Sequence, residues 1–374
     1  MTRDSRVRLF DPIRIILTSL VIIHHTAITY GASGSWYYKE DGAPELTHQL
    51  LSILTAIDQS FFMGFFFLLA GYFTPSSLAR KGEAAYLGDR MWRLMFPILV
   101  YGYLLEPLTH AFGRAAQGEP FWATYLRLLG HDSGLGPLWF NQALVFFAVG
   151  WCFSPRFSLA GLRALWPAGF HARVALLALI TAIVAFALRL VTPVGHNYFG
   201  MQIGYFASYV LLFVVGAACY RSGLLERIEW RQAAPWVIVS LIAIPLLPCF
   251  AIWSEASRQG DASGGWSVPA VVYALWEPLV ATGVILGALA LFRRARISNT
   301  AWVQRLASAA FVAYIIHPPV IVATSWGARQ LPFSHLGRFV VVAPIACVLT
   351  FALADGVTRV LAYWKMRRCQ TTVA

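Results

Sequence analysis

The stretch RLFDPIRIILTSLVIIHH, residues 8–25, decides the fold. Its apolar run continues to about Tyr30, which gives the ~20 residues that a helix needs to cross ~30 Å of hydrocarbon. A secretory signal peptide has a shorter and uninterrupted apolar region, so this segment is predicted to be an uncleaved first membrane helix with its N-terminus inside. The polar side chains that interrupt the run are Asp11, Arg14, His24 and His25.

Similar apolar runs recur along all 374 residues, of which 58% are hydrophobic and 12% charged. Soluble domains carry about a quarter charged residues, so lipid is the main solvent for this chain. We therefore predict an all-α, polytopic membrane protein with about ten transmembrane helices, formed by a single domain over residues 1–374. The predicted helices are Phe10–Tyr30, Leu51–Phe73, Trp92–Phe112, Gly136–Phe153, Arg173–Val191, Ile203–Tyr220, Ala233–Trp253, Val268–Phe292, Leu306–Ala323 and Phe339–Trp364.

The positions of the basic residues predict the topology. With both termini in the cytoplasm, twenty lysines and arginines fall in inner segments, six in outer loops and three inside spans. Such an excess inside is what the positive-inside rule requires, and an odd number of helices would scramble it. The net charge of +12 is therefore mostly topogenic, which argues against a nucleic-acid partner. The expected location is the inner or plasma membrane of the cell.

Cysteines and short motifs give no sign of a metal or a resident cofactor. The five cysteines show no paired spacing, and four of them lie in or beside apolar runs, as small buried hydrophobic residues do. Metal-ligand spacings, phosphate-binding loops and the nucleophile elbow of hydrolases are absent from the sequence.

Ionisable residues at membrane depth are costly and usually face a cavity or a partner. Arg14 and His25 are eleven residues apart, so on one helix they differ by about 20° in direction and about 16 Å in depth. Asp11 lies close enough to Arg14 to pair with it, and His24 points about 100° away from the stripe. His25 can act as a general base near neutral pH, or it can be a packing histidine bonded to another helix.

Two further arginines form a second candidate site. Arg90 and Arg93 are three residues apart at the start of a predicted helix, just inside the cytoplasmic boundary. Two guanidinium groups on one helix face can bind a phosphate-bearing ligand in bidentate fashion. The alternative is that both are topogenic and contact lipid headgroups.

Three more residues are weaker candidates for substrate binding. Trp139 starts a helix at the outer boundary, where tryptophan is usually an interfacial anchor. His317 precedes two prolines, which disturb a helix and free backbone carbonyls, but it can equally be a packing histidine. Glu277 is a carboxylate at membrane depth within the segment Leu-Trp-Glu-Pro-Leu.

Five segments, in this order, resemble those of a known family, the membrane acyltransferases called acyltransferase family 3. The first is RLFDPIRIILTSLVIIHH at 8–25, with Arg, ten residues and His. Those that follow are QSFFMGFFFLLAGYFTP at 59–75, DRMWRLMFPILVY at 89–101, GPLWFNQALVFF at 136–147 and ASAAFVAYIIHPPVIV at 307–322. Together they span nearly the whole chain, and the branch with glucan biosynthesis protein C-like members looks nearest.

The resemblance implies transfer of an acyl group, usually acetyl from acetyl-CoA, to a hydroxyl of a glycan, a lipid or a small molecule. It implies His25 as the catalytic base, and it places Arg14, Arg90 and Arg93 near the phosphates of the acyl-CoA co-substrate. One departure is Ala70, where the family commonly has serine.

Two other functions use some of the same features. A transporter or flippase also carries intramembrane ionisable residues, along the path of its substrate, but performs no covalent chemistry. A structural or assembly subunit has no evident use for Arg14 and His25 on one stripe. Acetyl-CoA turnover by the purified protein separates the first hypothesis from the other two.

Overall fold

The computed structural model describes residues 3–130, 134–153, 169–256, 261–295 and 300–371, without the side chains at 3–8, 254–256, 295, 365 and 368–371. Arg156, Arg163, Arg258 and Arg296, which entered the charge balance, lie outside the described residues. No strand occurs in these ranges, and helices make up most of them. The helices are α1 (Arg3–Thr29), α2 (Glu45–Lys81), α3 (Glu83–Val100), α4 (Glu106–Ala116), α5 (Phe121–Leu128), α6 (Trp139–Phe153), α7 (Phe170–Val191), α8 (Phe206–Ser222), α9 (Trp230–Ala256), α10 (Val268–Ala295), α11 (Ala301–Ala328) and α12 (His335–Thr371).

Within the described ranges, 9 helices are long and apolar enough to cross a membrane. This finding confirms the prediction of an all-α, polytopic membrane protein. The third predicted span, Trp92–Phe112, is not one of the nine, and its residues are divided between α3, a π-helical turn at Tyr101–Leu105 and α4. Pro107 has no amide hydrogen to continue the α-helical pattern, and the Glu106 amide donates instead to the carbonyl of Tyr101, five residues back.

The described residues form two compact units, each built from separate stretches of chain. Unit 1 contains Met1–Ala56, Pro97–Leu138 and Arg296–Ala374, and unit 2 contains Ile57–Phe96 and Trp139–Ala295. The prediction of a single domain stays a prediction. Of the candidate residues, unit 1 holds Arg14, His25 and His317, and unit 2 holds Arg90, Arg93, Trp139 and Glu277.

In unit 1, α1 packs against α11 and α12, and α11 also packs against α4. The contact is lined by small residues, including Ala309 and Ala313 of α11 and Ala346 of α12, around Ile22 of α1. Small side chains let helix backbones approach closely, which stabilises helix pairs that no hydrophobic effect drives together in lipid. This packing holds α1 and α11 side by side, and these are the helices that carry His25 and His317.

The helices α1 and α12 of unit 1 are antiparallel. Ile28, near the end of α1, packs in one cluster with Val342, near the start of α12. Further back along α1, the carbonyl of Ser19 accepts from the thiol of Cys347 at 3.8 Å. The start of α1 and the end of α12 therefore lie at the same end of unit 1, which supports termini on one side of the membrane. That this side is the cytoplasm stays a prediction.

In unit 2, close helix crossings are made at glycines. A Cβ on Gly71 of α2 would collide with the backbone of Phe213 in α8, and one on Gly216 of α8 would collide with the backbone of Leu68. Between α9 and α10, the Trp276 indole donates to the carbonyl of Ala243 at 2.7 Å. Crossings as tight as that of α2 and α8 exclude any side chain larger than hydrogen at these two positions.

Candidate functional site

The stripe predicted on the first helix lies on one continuous helix of unit 1. Helix α1 runs without a break from Arg3 to Thr29, so Arg14 and His25 keep the spacing of about 16 Å along its axis. Arg14 Nη1 lies 3.4 Å from Asp11 Oδ1, as the sequence predicts for these neighbours. His25 is half-buried, one turn before the end of the helix.

The imidazole of His25 packs against aromatic rings from two other parts of unit 1. The ring of Trp36, in the loop between α1 and α2, lies with its centroid 3.9 Å away and nearly parallel, at 13°. The ring of His317, from α11, lies 5.4 Å away at 18°. The rings of Trp36 and His317 are 6.1 Å apart at 15°. We call these three side chains the His–Trp cluster.

The tautomer of His317 follows from the proline after it. Pro318 has no amide hydrogen, so the carbonyl of Tyr314 cannot accept the usual helical hydrogen bond from that position. His317 Nδ1 lies 2.6 Å from this carbonyl and donates to it, because a carbonyl can only accept. In the neutral ring the other nitrogen, Nε2, is then left as a hydrogen-bond acceptor.

Each member of the His–Trp cluster keeps a buried polar atom that has no hydrogen-bond partner among the described residues. These atoms are His25 Nδ1, Trp36 Nε1 and His317 Nε2. Most buried polar atoms in proteins are hydrogen-bonded, so three exceptions on mutually stacked rings require an explanation. Together they offer an indole donor, an imidazole acceptor and a histidine that can exchange a proton, which is a suitable set for chemistry on a hydroxyl and a carbonyl.

A polar chain in unit 1 adjoins the cluster through Tyr37. The hydroxyls of Tyr37 and Tyr101 lie 2.9 Å apart, and the rings of Tyr37 and His110 meet edge to face at 4.8 Å. His110 Nε2 lies 3.9 Å from Glu106 Oε1, and Glu106 also accepts from the amide of Gly134. Burial raises the pKa of the Tyr37 hydroxyl, so it stays protonated and serves as a hydrogen-bonding group.

In unit 2, the two arginines of α3 lie beside a carboxylate. Arg93 Nε contacts Asp89 Oδ1 at 2.9 Å, and Lys81 Nζ donates to Asp89 Oδ2 at 2.6 Å. Arg90 lies over the ring of Tyr86, 5.4 Å from its centroid. The hydrogen bond from Lys81 and the nearby arginines lower the pKa of Asp89, so it stays ionised and competes for Arg93. Arg93 is largely exposed and can reach a ligand.

Trp139 takes part in an aromatic cluster of unit 2. Its ring is stacked on Tyr209 of α8 at 5.8 Å and lies 6.3 Å from the ring of Phe206. The indole is half-buried. These contacts give Trp139 a packing role at the start of α6, and its role in substrate binding stays a prediction.

Glu277 of α10 forms a buried ion pair with Arg189 of α7 in unit 2. The Arg189 side chain is 1% exposed, and its Nε donates to the carbonyl of Gly204 at 3.0 Å. The rings of Tyr205 and Tyr273 flank the guanidinium at 5.4 and 5.0 Å. The pair neutralises two charges at membrane depth and joins α7 to α10, two helices in contact.

A second ion-pair group lies in unit 1. Asp355 of α12 receives both Nε and Nη2 of Arg305 at 2.6 and 2.5 Å, in the bidentate geometry that arginine favours. Arg359, one turn further along α12, contacts the same carboxylate at 3.1 Å. Within the part of the chain that the structure describes, no group of three or more His, Cys, Asp or Glu could hold a metal ion.

Sequence reasoning did not single out Trp36 or Tyr37. Both lie in the segment GASGSWYYKEDG, whose composition is typical of an outer loop. The sequence did contain a signal for them. Aromatic residues in the loop that follows a helix can fold back over a candidate base near the end of that helix, here His25. Arg189 is one of the three basic residues that the sequence places inside spans, but its pairing with Glu277 was not predicted.

Comparison with known proteins gives one match. A family model described as an acyltransferase domain matches residues 9–359. No curated protein and no solved structure matches the chain.

Proposed function

This chain belongs to acyltransferase family 3 and is a transmembrane acyltransferase, and we propose that it moves an acetyl group from cytosolic acetyl-CoA to an acceptor hydroxyl. The acceptor is a glycan, a lipid or a small molecule. The motif resemblance supports a place near the glucan biosynthesis protein C-like branch. The nine apolar helices of the described residues support a multi-pass membrane protein, for which we propose the inner or plasma membrane.

The observation that carries this proposal is the His–Trp cluster. His25, Trp36 and His317 are in mutual contact, and each of the three rings holds a buried polar atom with no partner in the described chain. In a histidine with only a packing role, we expect the buried ring nitrogens to be hydrogen-bonded to neighbouring helices. Here, donors and acceptors without a partner in the described chain lie together around one imidazole. Such an arrangement is typical of a site that binds a substrate.

In the proposed reaction, His25 is the general base. It removes the proton of the acceptor hydroxyl while that oxygen attacks the thioester carbonyl of acetyl-CoA. The new C–O bond forms, the C–S bond breaks, and the departing CoA thiolate takes the proton from the His25 imidazolium. His317 Nε2, an acceptor by virtue of the Tyr314 contact, accepts from a second hydroxyl of the acceptor molecule and holds it in place, because the single hydrogen of the reacting hydroxyl goes to His25.

The arginines are proposed to bind the donor. Arg14 lies on the same helix as His25, about 16 Å closer to the predicted cytoplasmic end. That separation suits a donor whose phosphates stay at the inner mouth while the extended pantetheine arm carries the thioester to the base. Arg90 and Arg93 are proposed, on the resemblance, as a phosphate-binding pair of unit 2, since arginine binds phosphate in bidentate fashion.

The test is single-turnover release of CoA from radiolabelled acetyl-CoA by the purified protein in lipid nanodiscs, with transfer of label to membrane glycans and lipids. We expect turnover by the wild type, and a loss of ~10²–10⁴-fold in His25→Ala because the proton transfer is lost. His24→Ala is the matched control, since its ring is nearly perpendicular to that of His25, at 84°. It should retain most of the rate.

The main alternative is a transporter or flippase that uses the same intramembrane polar residues. It predicts no CoA release and no covalent transfer of label by the wild type, whatever the substrate it moves. Normal turnover in folded His25→Ala would instead leave the acyltransferase intact and remove His25 as the base.

A further inference from the structure

Trp36 is fixed where it meets His25, although it lies in a loop. Lys39 Nζ donates to the carbonyls of Ala32 and Gly34, at 3.3 and 3.2 Å, and so ties the two ends of the loop together. The amide of Glu40 donates to the carbonyl of Thr29 at 2.8 Å. The Glu40 side chain accepts from Arg338 of α12 at 2.7 Å. These contacts anchor the loop to the helices α1 and α12 of unit 1.

The residue after Trp36 is fixed as well. The Tyr37 hydroxyl lies 2.9 Å from that of Tyr101, and a Cβ on Gly136 would collide with it. The backbone carbonyl of Tyr37 lies against Gly113 of α4, where a Cβ would also collide. The Trp36 indole therefore has a fixed position, and poor anchoring of the loop does not explain why its N–H has no partner in the described chain.

The indole nitrogen differs from the other two atoms of the His–Trp cluster that have no partner in the described chain. Trp36 Nε1–H donates in every protonation state and never accepts. His317 Nε2 is an acceptor, because Nδ1–H is used on the Tyr314 carbonyl. His25 must keep one lone pair for the proton that it removes. The cluster thus contains a base, an acceptor and one obligatory donor.

Acyl transfer needs such a donor. As the hydroxyl oxygen attacks, negative charge develops on the carbonyl oxygen of the thioester, and a preorganised N–H lowers the barrier when it points at that oxygen. The Trp36 ring is stacked with its centroid 3.9 Å from that of the His25 ring, within an anchored segment, so its N–H meets the requirement for preorganisation.

We propose that Trp36 is a catalytic residue whose indole N–H donates to the developing oxyanion of the thioester carbonyl, while its ring face holds the His25 imidazole. This inference rests on the proposed function. It assigns the loop between α1 and α2 a direct part in the reaction, beside the membrane helices.

Trp36→Phe separates the two roles, because it keeps an aromatic face over His25 and removes the N–H. We expect its kcat for CoA release from acetyl-CoA to fall ~10²-fold, with the KM for acetyl-CoA and the unfolding temperature unchanged. Trp36→Ala, which also frees the His25 ring, should lose more. Trp326→Phe, at another half-buried tryptophan of unit 1, is the matched control and should keep the wild-type rate.

Rates are measured per folded, monodisperse protein in nanodiscs, so a loss of yield cannot imitate a loss of kcat. Trp36→Phe at the wild-type rate would overturn the inference and leave the proposed function standing, provided that His25→Ala is inactive. A rise in KM with kcat unchanged would assign Trp36 to donor binding and would also overturn it. Absence of CoA release by the wild type would overturn both proposals.

Discussion

Two of the places that hold ionisable side chains at membrane depth differ in how their hydrogen bonds are used. In unit 2, Arg189 and Glu277 neutralise each other, and Arg189 also donates to the backbone of Gly204. In unit 1, the His–Trp cluster contains no opposite charge, and each of its three rings keeps a buried atom with no partner in the described chain. Arg189 Nη1 is also without such a partner, but it belongs to a compensated pair.

The difference in hydrogen bonding between the ion pair and the His–Trp cluster shows that an ionisable residue in a membrane helix is not by itself evidence of a catalytic site. Burial costs free energy in both places. In the ion pair each charge offsets part of the other's cost within the protein, so the pair needs no ligand. The cluster has donors and acceptors without a partner in the described chain, and a substrate with a hydroxyl and a carbonyl can form hydrogen bonds with them. We therefore assign the first to stability and the second to chemistry.

The largest effect in stability is expected from Glu277→Ala. It leaves the Arg189 charge buried without its carboxylate, which should cost about 3–5 kcal/mol of unfolding free energy. The exposed pair of Glu229 and Arg293, at 3.6 Å, provides the control, and Glu229→Ala should change stability by less than about 1 kcal/mol. Unfolding in a denaturant series with the protein in mixed micelles measures both variants.

Replacing both partners sharpens this prediction. Arg189→Met combined with Glu277→Leu removes both buried charges, and it should recover much of the loss caused by Glu277→Ala. If Glu277→Ala is as stable as the wild type but raises the KM of an acceptor, Glu277 contacts substrate and the assignment to stability is wrong.

A smaller effect, on rate, is expected at His317. If Nε2 only accepts a hydrogen bond from a second hydroxyl of the acceptor molecule, His317→Ala should slow CoA release about tenfold, the equivalent of ~1.4 kcal/mol. His317→Gln keeps an acceptor oxygen and should lose less. A loss of ~10²–10⁴-fold in His317→Gln would identify His317, and not His25, as the group that takes the proton.

The smallest effects are expected at the inner end of α3. Arg93→Ala should raise the KM for acetyl-CoA a few-fold, because an exposed charge contact contributes about 1 kcal/mol or less. Asp89→Asn should act in the opposite direction. The pKa of Asp89 is lowered, so the carboxylate is ionised at neutral pH and its removal frees Arg93 for phosphate. If neither variant changes the KM, the arginines are topogenic.

The sequence was sufficient for the fold because membrane helices are encoded locally. Twenty apolar residues define a span wherever they occur, and nine helices of the described chain meet that criterion. The exception is the segment Trp92–Phe112, where Pro107 interrupts the α-helical pattern. Hydropathy records the composition of this segment and not its backbone hydrogen bonds, so the π-helical turn at Tyr101–Leu105 could not be predicted.

The site was only partly predictable. The direction and depth of Arg14 relative to His25 follow from helix geometry, and α1 is continuous through both. The stacking of His317 on His25 joins residues from opposite ends of the chain, and it depends on how α1 packs against α11. Trp36 reaches His25 only because its loop folds back and is anchored by Lys39 and contacts to neighbouring helices. No local pattern encodes such contacts.

The most direct test of the distinction between the two regions is to measure unfolding free energy and single-turnover CoA release for His25→Ala and Glu277→Ala in parallel. We expect His25→Ala to lose ~10²–10⁴-fold in the rate of CoA release, with an unfolding free energy close to that of the wild type. We expect Glu277→Ala to lose about 3–5 kcal/mol of stability while its folded fraction keeps the wild-type rate. The contrary result would be equal losses of rate and stability in both variants, since the cluster and the ion pair would then serve one and the same role.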